Sequence, residues 1–161
     1  MHSEKQKPII SQKSLDQLPI SSVEMGRLMQ DVLSLDTPIQ IKATGSSMKP
    51  FILDGDVLTI TPVSRSQPTT GKVVAFLISG NRNLVVHRII KNKDLLFLTK
   101  GDNSWQKTDG WIDGDQILGC VTHIKREENN IRFGLGVERV LLAFLSRHNL
   151  LKRITIRLGN R

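Results

Sequence analysis

The feature that most constrains this chain is a succession of short runs rich in Ile, Leu and Val, broken at close intervals by Gly, Pro, Asn and Asp. In the first, Ile39, Ile41 and Ala43 alternate with Gln40 and Lys42, the period-2 pattern of a strand buried on one face. Residues 57–60, 72–78, 84–90, 95–99 and 117–124 make further runs, most of them rich in β-branched side chains. Asn129 and Asn130 read as a turn into another short strand at 131–133. Such a series predicts a mainly β fold.

Two segments break the pattern and predict helices at either end. Ser21 or Ser22 can cap a helix in which Met25, Leu28, Met29, Val32 and Leu33 recur at helical spacing until Pro38. Between 137 and 158, Val140, Leu141, Phe144 and Leu145 share one helical face, and Leu150, Leu151 and Ile154 extend it. The chain therefore divides into a charged arm at 1–18, a domain at 19–135 opening with a helix, and a basic helical tail at 136–161. A length of 161 residues suits one core, and with aromatics at 4% and no tyrosine that core must rest on Ile, Leu and Val.

The net charge of +8 is concentrated at the end. After Glu138 come Arg139, Arg147, Lys152, Arg153, Arg157 and Arg161 with no further acid. The tail fits either a terminal helix packed on its own domain or a cationic helix lying on an anionic membrane surface. No basic strip interleaved with aromatics is present, so no nucleic-acid partner is expected. No run approaches the roughly 20 apolar residues that cross a bilayer, and residues 1–14 lack the apolar stretch of a secretory signal. Cys120 is the one cysteine, which excludes an internal disulfide and agrees with a reducing compartment. The expected location is the cytoplasm, with peripheral attachment to the cytoplasmic membrane open through the tail. Four histidines and Cys120 lie scattered without ligand spacing, so neither a metal nor a cofactor is expected.

Four short motifs stand in order. Gly45-Ser46-Ser47-Met48-Lys49-Pro50 is followed closely by Asp54-Gly55-Asp56. Then come Gly71-Lys72-Val73-Val74-Ala75-Phe76, Val85-Val86-His87-Arg88-Ile89-Ile90 and Thr99-Lys100-Gly101-Asp102-Asn103, with Asp109 downstream. A serine in a Gly-containing bend after a strand is exposed and can approach a carbonyl closely. Its hydroxyl needs a neighbouring base to become a nucleophile, and a histidine held mid-strand can serve. An aspartate can fix the histidine tautomer. Singly, each is ordinary: a Gly–Ser turn is usually just a turn, a strand histidine a structural group, and Gly-Asp-Asn turn chemistry.

Taken in order from about Ile39 to His123, these motifs resemble the type I signal peptidases and their LexA-repressor relatives. The resemblance implies the signal-peptidase/LexA-like β fold, and a serine endopeptidase that cleaves a leader or precursor peptide. It makes Ser47 the nucleophile and His87 the general base, as in the branch that uses Ser and His where bacterial signal peptidases place lysine. The acidic partner would be Asp109 or Asp102; Asp109, though one residue further from the Gly-Asp pair than is usual, ranks slightly ahead. Gly45, Ser46 and Met48 flank the nucleophile as oxyanion or substrate-binding candidates. Many signal peptidases carry serine at the position of Gly45, so the oxyanion hole would rely on backbone N–H groups near Ser47, aided by Ser46. A neutral imidazole is required, so activity should fall as His87 takes up a proton.

Two other functions compete. A catalytically inactive peptide-binding module would keep the fold, although the presence of both Ser47 and His87 argues against it. A LexA-like self-cleaving regulator needs a DNA-binding domain, and 46 residues with one helix precede Ser47; the Ala-Gly and Cys-Gly dipeptides typical of self-cleavage are also missing.

Overall fold

A computed structural model describes residues 21–64, 66–78, 83–105 and 107–151. The expected arm at 1–18, and the tail from 152 onward, lie outside the described residues. Helix α1 (Ser22–Ser34) is followed by strands β1 (Ile39–Lys42), β2 (Val57–Pro62), β3 (Val73–Leu77), β4 (Leu84–Lys93), β5 (Leu96–Lys100), β6 (Gly110–Asp113), β7 (Ile117–Arg126) and β8 (Asn129–Ile131). Helix α2 (Arg139–Arg147) follows β8. This is the mainly β architecture with helical ends that the periodicity predicts.

The strands form one antiparallel sheet in the order β1-β2-β7-β3-β4-β5-β6, with β8 added to β7. Side-chain alternation divides the core between its two faces. Val73 and Ala75 join Ile39, Ile41, Leu58, Ile60, Leu118, Val121 and Ile124 beneath Met29, Val32 and Leu33 of α1. Their neighbours Val74 and Phe76 pack on the other side with Ile89, Phe97, Ile112, Ile117 and Cys120. Strand β3 is thus buried on both faces, as its unbroken apolar run suggests.

Helix α1 starts at a reciprocal cap. Ser21 Oγ accepts the Glu24 N–H at 3.2 Å and the Glu24 carboxylate accepts the Ser21 N–H at 2.9 Å. At the far end two expectations need correction. The turn after β7 is made by Glu127 and Glu128, with Glu127 at φ 52°, and Asn129 and Asn130 already belong to β8. The terminal helix does not run unbroken from 137 to 158: α2 stops at Arg147, and Asn149 takes a left-handed φ of 58°. Within the described residues α2 packs on the domain. Leu142 and Leu151 pack on Phe51, and Lys100 Nζ donates to the Ser146 carbonyl at 2.8 Å and to Asn149 Oδ1 at 2.5 Å. Burial pushes the Lys100 ammonium below the usual lysine range, against the upward pull of the Asp102 charge.

Candidate active site

Ser47 is carried by the loop between β1 and β2, residues 43–56. Two bonds that continue the β1–β2 ladder close this loop at its base, from Ala43 N–H to the Asp56 carbonyl at 2.7 Å and from Gly55 N–H to the Ala43 carbonyl at 2.9 Å. Gly45 enters the bend at φ 88° and donates its N–H to Asp54 Oδ1 at 2.8 Å, so its lack of a side chain meets a backbone need. Beyond it the chain coils tightly: Met48, buried, accepts the N–H groups of Phe51 and Ile52, and Ser47 stays exposed. The backbone N–H groups of Ser47 and Met48 have no acceptor among the described residues.

The sheet register brings the other groups to Ser47. His87 faces Val74 on β3, its successor Arg88 faces Lys100 on β5, and Thr99 faces Gly110 at the start of β6. Asp109 lies just before that strand, its N–H donating to the Thr99 carbonyl at 3.0 Å. His87 Nε2 stands 3.0 Å from Ser47 Oγ, and His87 Nδ1 stands 2.7 Å from Asp109 Oδ2. Thr99 Oγ1 donates to the same carboxylate oxygen at 3.0 Å. An ionised carboxylate only accepts, so a neutral His87 carries its proton on Nδ1 and offers the Nε2 lone pair to the Ser47 hydroxyl. The side chains of His87 and Asp109 are largely covered, at 12% and 18% exposure.

Asp102, the second acidic candidate, is not brought to His87. Its carboxylate is buried and bonded through both oxygens to Arg88, from Nε at 2.8 Å and Nη2 at 2.7 Å. The physical reason is Arg88 itself, fully buried in β4 and needing a counter-charge there. Its remaining nitrogen donates to the carbonyls of Gly71 and Gly134, both at 2.8 Å. Ser46, the proposed oxyanion aid, is exposed and accepts the Asn103 side-chain amide through its backbone carbonyl at 3.1 Å.

Three residues in the quoted motifs had no role assigned from sequence. Asn103 ties the turn after β5 to the serine loop, its N–H donating to the Ser47 carbonyl at 2.8 Å. Gly101 allows that approach: a Cβ there would lie 2.8 Å from the Ser47 carbonyl oxygen and 3.0 Å from His87 Nε2. Thr99 orients Asp109. Their presence in one short motif beside Asp102 was the available signal.

A cleft of about 440 Å³ opens beside Ser47 and His87. One wall is Ile41–Gly45, the other Leu84–Val86, and Met25, Met48, Ile52 and Leu58 add apolar surface. Pairing of β4 with β5 begins only at Arg88, so the 84–87 stretch has β3 on one side and the cleft on the other. At its far end the Leu84 N–H donates to Ser22 Oγ of α1 at 3.1 Å.

Comparison with known proteins assigns this architecture. The Peptidase S24-like family matches residues 18–122, from before α1 into β7. The chain belongs to the Peptidase S24-like family. The human protein named Signal peptidase complex catalytic subunit SEC11C is 29% identical over 140 residues, covering 73% of this chain and 69% of that protein, and the Mus musculus protein of the same name matches equally. The Rattus norvegicus protein of that name is 31% identical over 96 residues, 52% of this chain and 50% of its own. The S24-like match contains Ser47, His87, Asp102 and Asp109 and ends before α2.

Proposed function

We propose that this S24-like protein is a serine endopeptidase of signal-peptidase type, cleaving a leader or precursor peptide. The observation that carries the reading is the hydrogen-bonded series Ser47–His87–Asp109, with 3.0 Å and 2.7 Å links, opening on a cleft with two strand walls. A peptide enters extended between β1 and the start of β4, adding a strand where edges are open. His87 Nε2 takes the proton as Ser47 Oγ attacks the scissile carbonyl. The oxyanion that forms is received by backbone N–H groups at Ser47 and Met48. His87 then gives the proton to the leaving amine as the C–N bond breaks, leaving an ester on Ser47. Water, deprotonated by His87, hydrolyses that ester. Asp109 holds the imidazole orientation and stabilises the imidazolium.

The test is turnover of a library of leader-like peptides by the purified protein beside Ser47→Ala and His87→Ala. Cleavage lost in both variants supports the Ser–His mechanism and reveals the preferred residues before the cut. Equal background in all three proteins sinks it and favours a peptide-binding role.

A further inference from the structure

Helix α2 is packed on one face only. Leu142, Ala143 and Ser146 are buried, whereas Val137, Val140, Leu141 and Phe144 are 93%, 56%, 59% and 55% exposed. Val140, Leu141 and Phe144, three and four residues apart, line up on α2 as one outward stripe, and Val137 lies in the turn just before the helix. Phe133, 62% exposed, packs at a tilt against the Phe51 ring that also meets the underside of this segment. Single exposed apolar side chains are ordinary, but an aligned stripe marks an interaction surface.

The charge around the stripe selects its partner. The one acid from Val137 to Arg161 is Glu138, and it is turned inward: Oε1 accepts the N–H groups of Gly134 at 2.6 Å and Gly136 at 3.1 Å. These backbone donors, with Glu138's own N–H the largest contributor, hold its carboxyl below the usual range, so it stays ionised and engaged. Against it stand Arg139, Arg147 and, in the ten residues after Leu151, Lys152, Arg153, Arg157 and Arg161. A second copy of the chain would bring like charges together. An anionic bilayer supplies hydrocarbon for the stripe and phosphates for the cations.

We propose that α2 is an in-plane anchor for an anionic lipid surface, with Val137, Val140, Leu141 and Phe144 facing the acyl region. Helix α2 has nine residues, too short to cross a bilayer, so the proposed contact of this helix lies in the plane of the surface. The proposal goes beyond the peptidase reading and does not depend on it. Its consequence for that reading is positional: α2 sits on Phe51, four residues after Ser47, so a docked α2 holds the serine loop close to the bilayer.

The test is co-sedimentation of the full chain with phosphatidylcholine vesicles, with and without phosphatidylglycerol, beside the double variant Leu141→Asp/Phe144→Asp. Both positions are exposed, so the thermal melt should match the parent. Expected are binding to the anionic vesicles, weakening with salt, and a loss of roughly tenfold or more in the variant. Three results overturn the proposal. One is no sedimentation with anionic vesicles, and another is equal binding by the variant. The third is a solution dimer that the same substitutions dissociate, which would assign the stripe to a second copy. Cleavage of a soluble peptide, measured separately, reports on the peptidase reading alone.

Discussion

Arg88, the residue after His87, is fully buried and grips both carboxylate oxygens of Asp102, at 2.8 and 2.7 Å. Removing one partner of such a pair strands the other charge in the interior. Asp102→Ala should therefore lower stability by roughly 3–5 kcal/mol, read as an earlier denaturation midpoint with unchanged slope. Asp109→Asn should behave in the opposite way. Its melt stays near the parent's while kcat falls by about 10⁴-fold, because an amide no longer enforces the His87 tautomer. A stable, inactive Asp102→Ala beside a fully active Asp109→Asn would reverse these assignments.

Gly101 should not tolerate even a methyl group. A Cβ there would stand 2.7 Å from Ser104 Oγ, 2.8 Å from the Ser47 carbonyl and 3.0 Å from His87 Nε2. The backbone must move to relieve the contact, which displaces serine and imidazole together. Gly101→Ala is expected to lose roughly 100-fold in kcat with a stability cost of about 1–3 kcal/mol. Parent-like kinetics would mean that the turn after β5 does not set the Ser47–His87 distance.

Acid should act on the base of the serine loop. Burial by itself would raise the Asp56 carboxyl, but the Arg126 hydrogen bonds, the Leu53 N–H and the Arg126 charge together outweigh it and hold it below the usual aspartate range. A carboxyl depressed in the folded state stabilises fully above its unfolded value, roughly pH 3.9. That contribution disappears as pH falls through the lower, folded value. Urea midpoints measured from neutral to acid pH should drop more steeply for the parent than for Asp56→Asn. Parallel curves would remove Asp56 from the account of acid unfolding.

The bond from Leu84 N–H to Ser22 Oγ closes the far end of the cleft. An extended peptide reaching that far would need the same N–H for its own ladder. Rates should therefore stop rising once a substrate extends about four residues before the cut, given some 3.3 Å per residue along the strand. Ser22→Ala should allow longer peptides to gain further. A peptide-length series on both proteins decides this; identical length dependence would show that α1 is no boundary.

Much of this architecture was legible beforehand because its causes are local. Alternation at Ile39, Ile41 and Ala43 needs only the pleat of a strand. A serine cap at Ser21 or Ser22 needs only unsatisfied N–H groups at a helix start, and the structure chose Ser21 with Glu24. Readings at the far end failed for the same kind of reason: Asn129 and Asn130 favour turns, but the β7 ladder recruited them, and Glu127 turned instead. The break of α2 at His148–Asn149 was hidden because Leu150 and Leu151 continue the apolar content whether or not the helix does.

The sequence by itself determined the alphabet of the site: a serine in a glycine bend, a histidine mid-strand, two aspartates nearby, and a basic amphipathic end. It ranked Asp109 only slightly ahead of Asp102, because distance along the chain does not measure distance across a sheet. Tertiary structure made that choice through strand register, which sets Thr99 opposite Gly110 and so carries Asp109 to His87. It also required a buried counter-charge for Arg88, and that requirement turned Asp102 inward. Packing likewise decided which face of α2 met Phe51 and which was left for another surface.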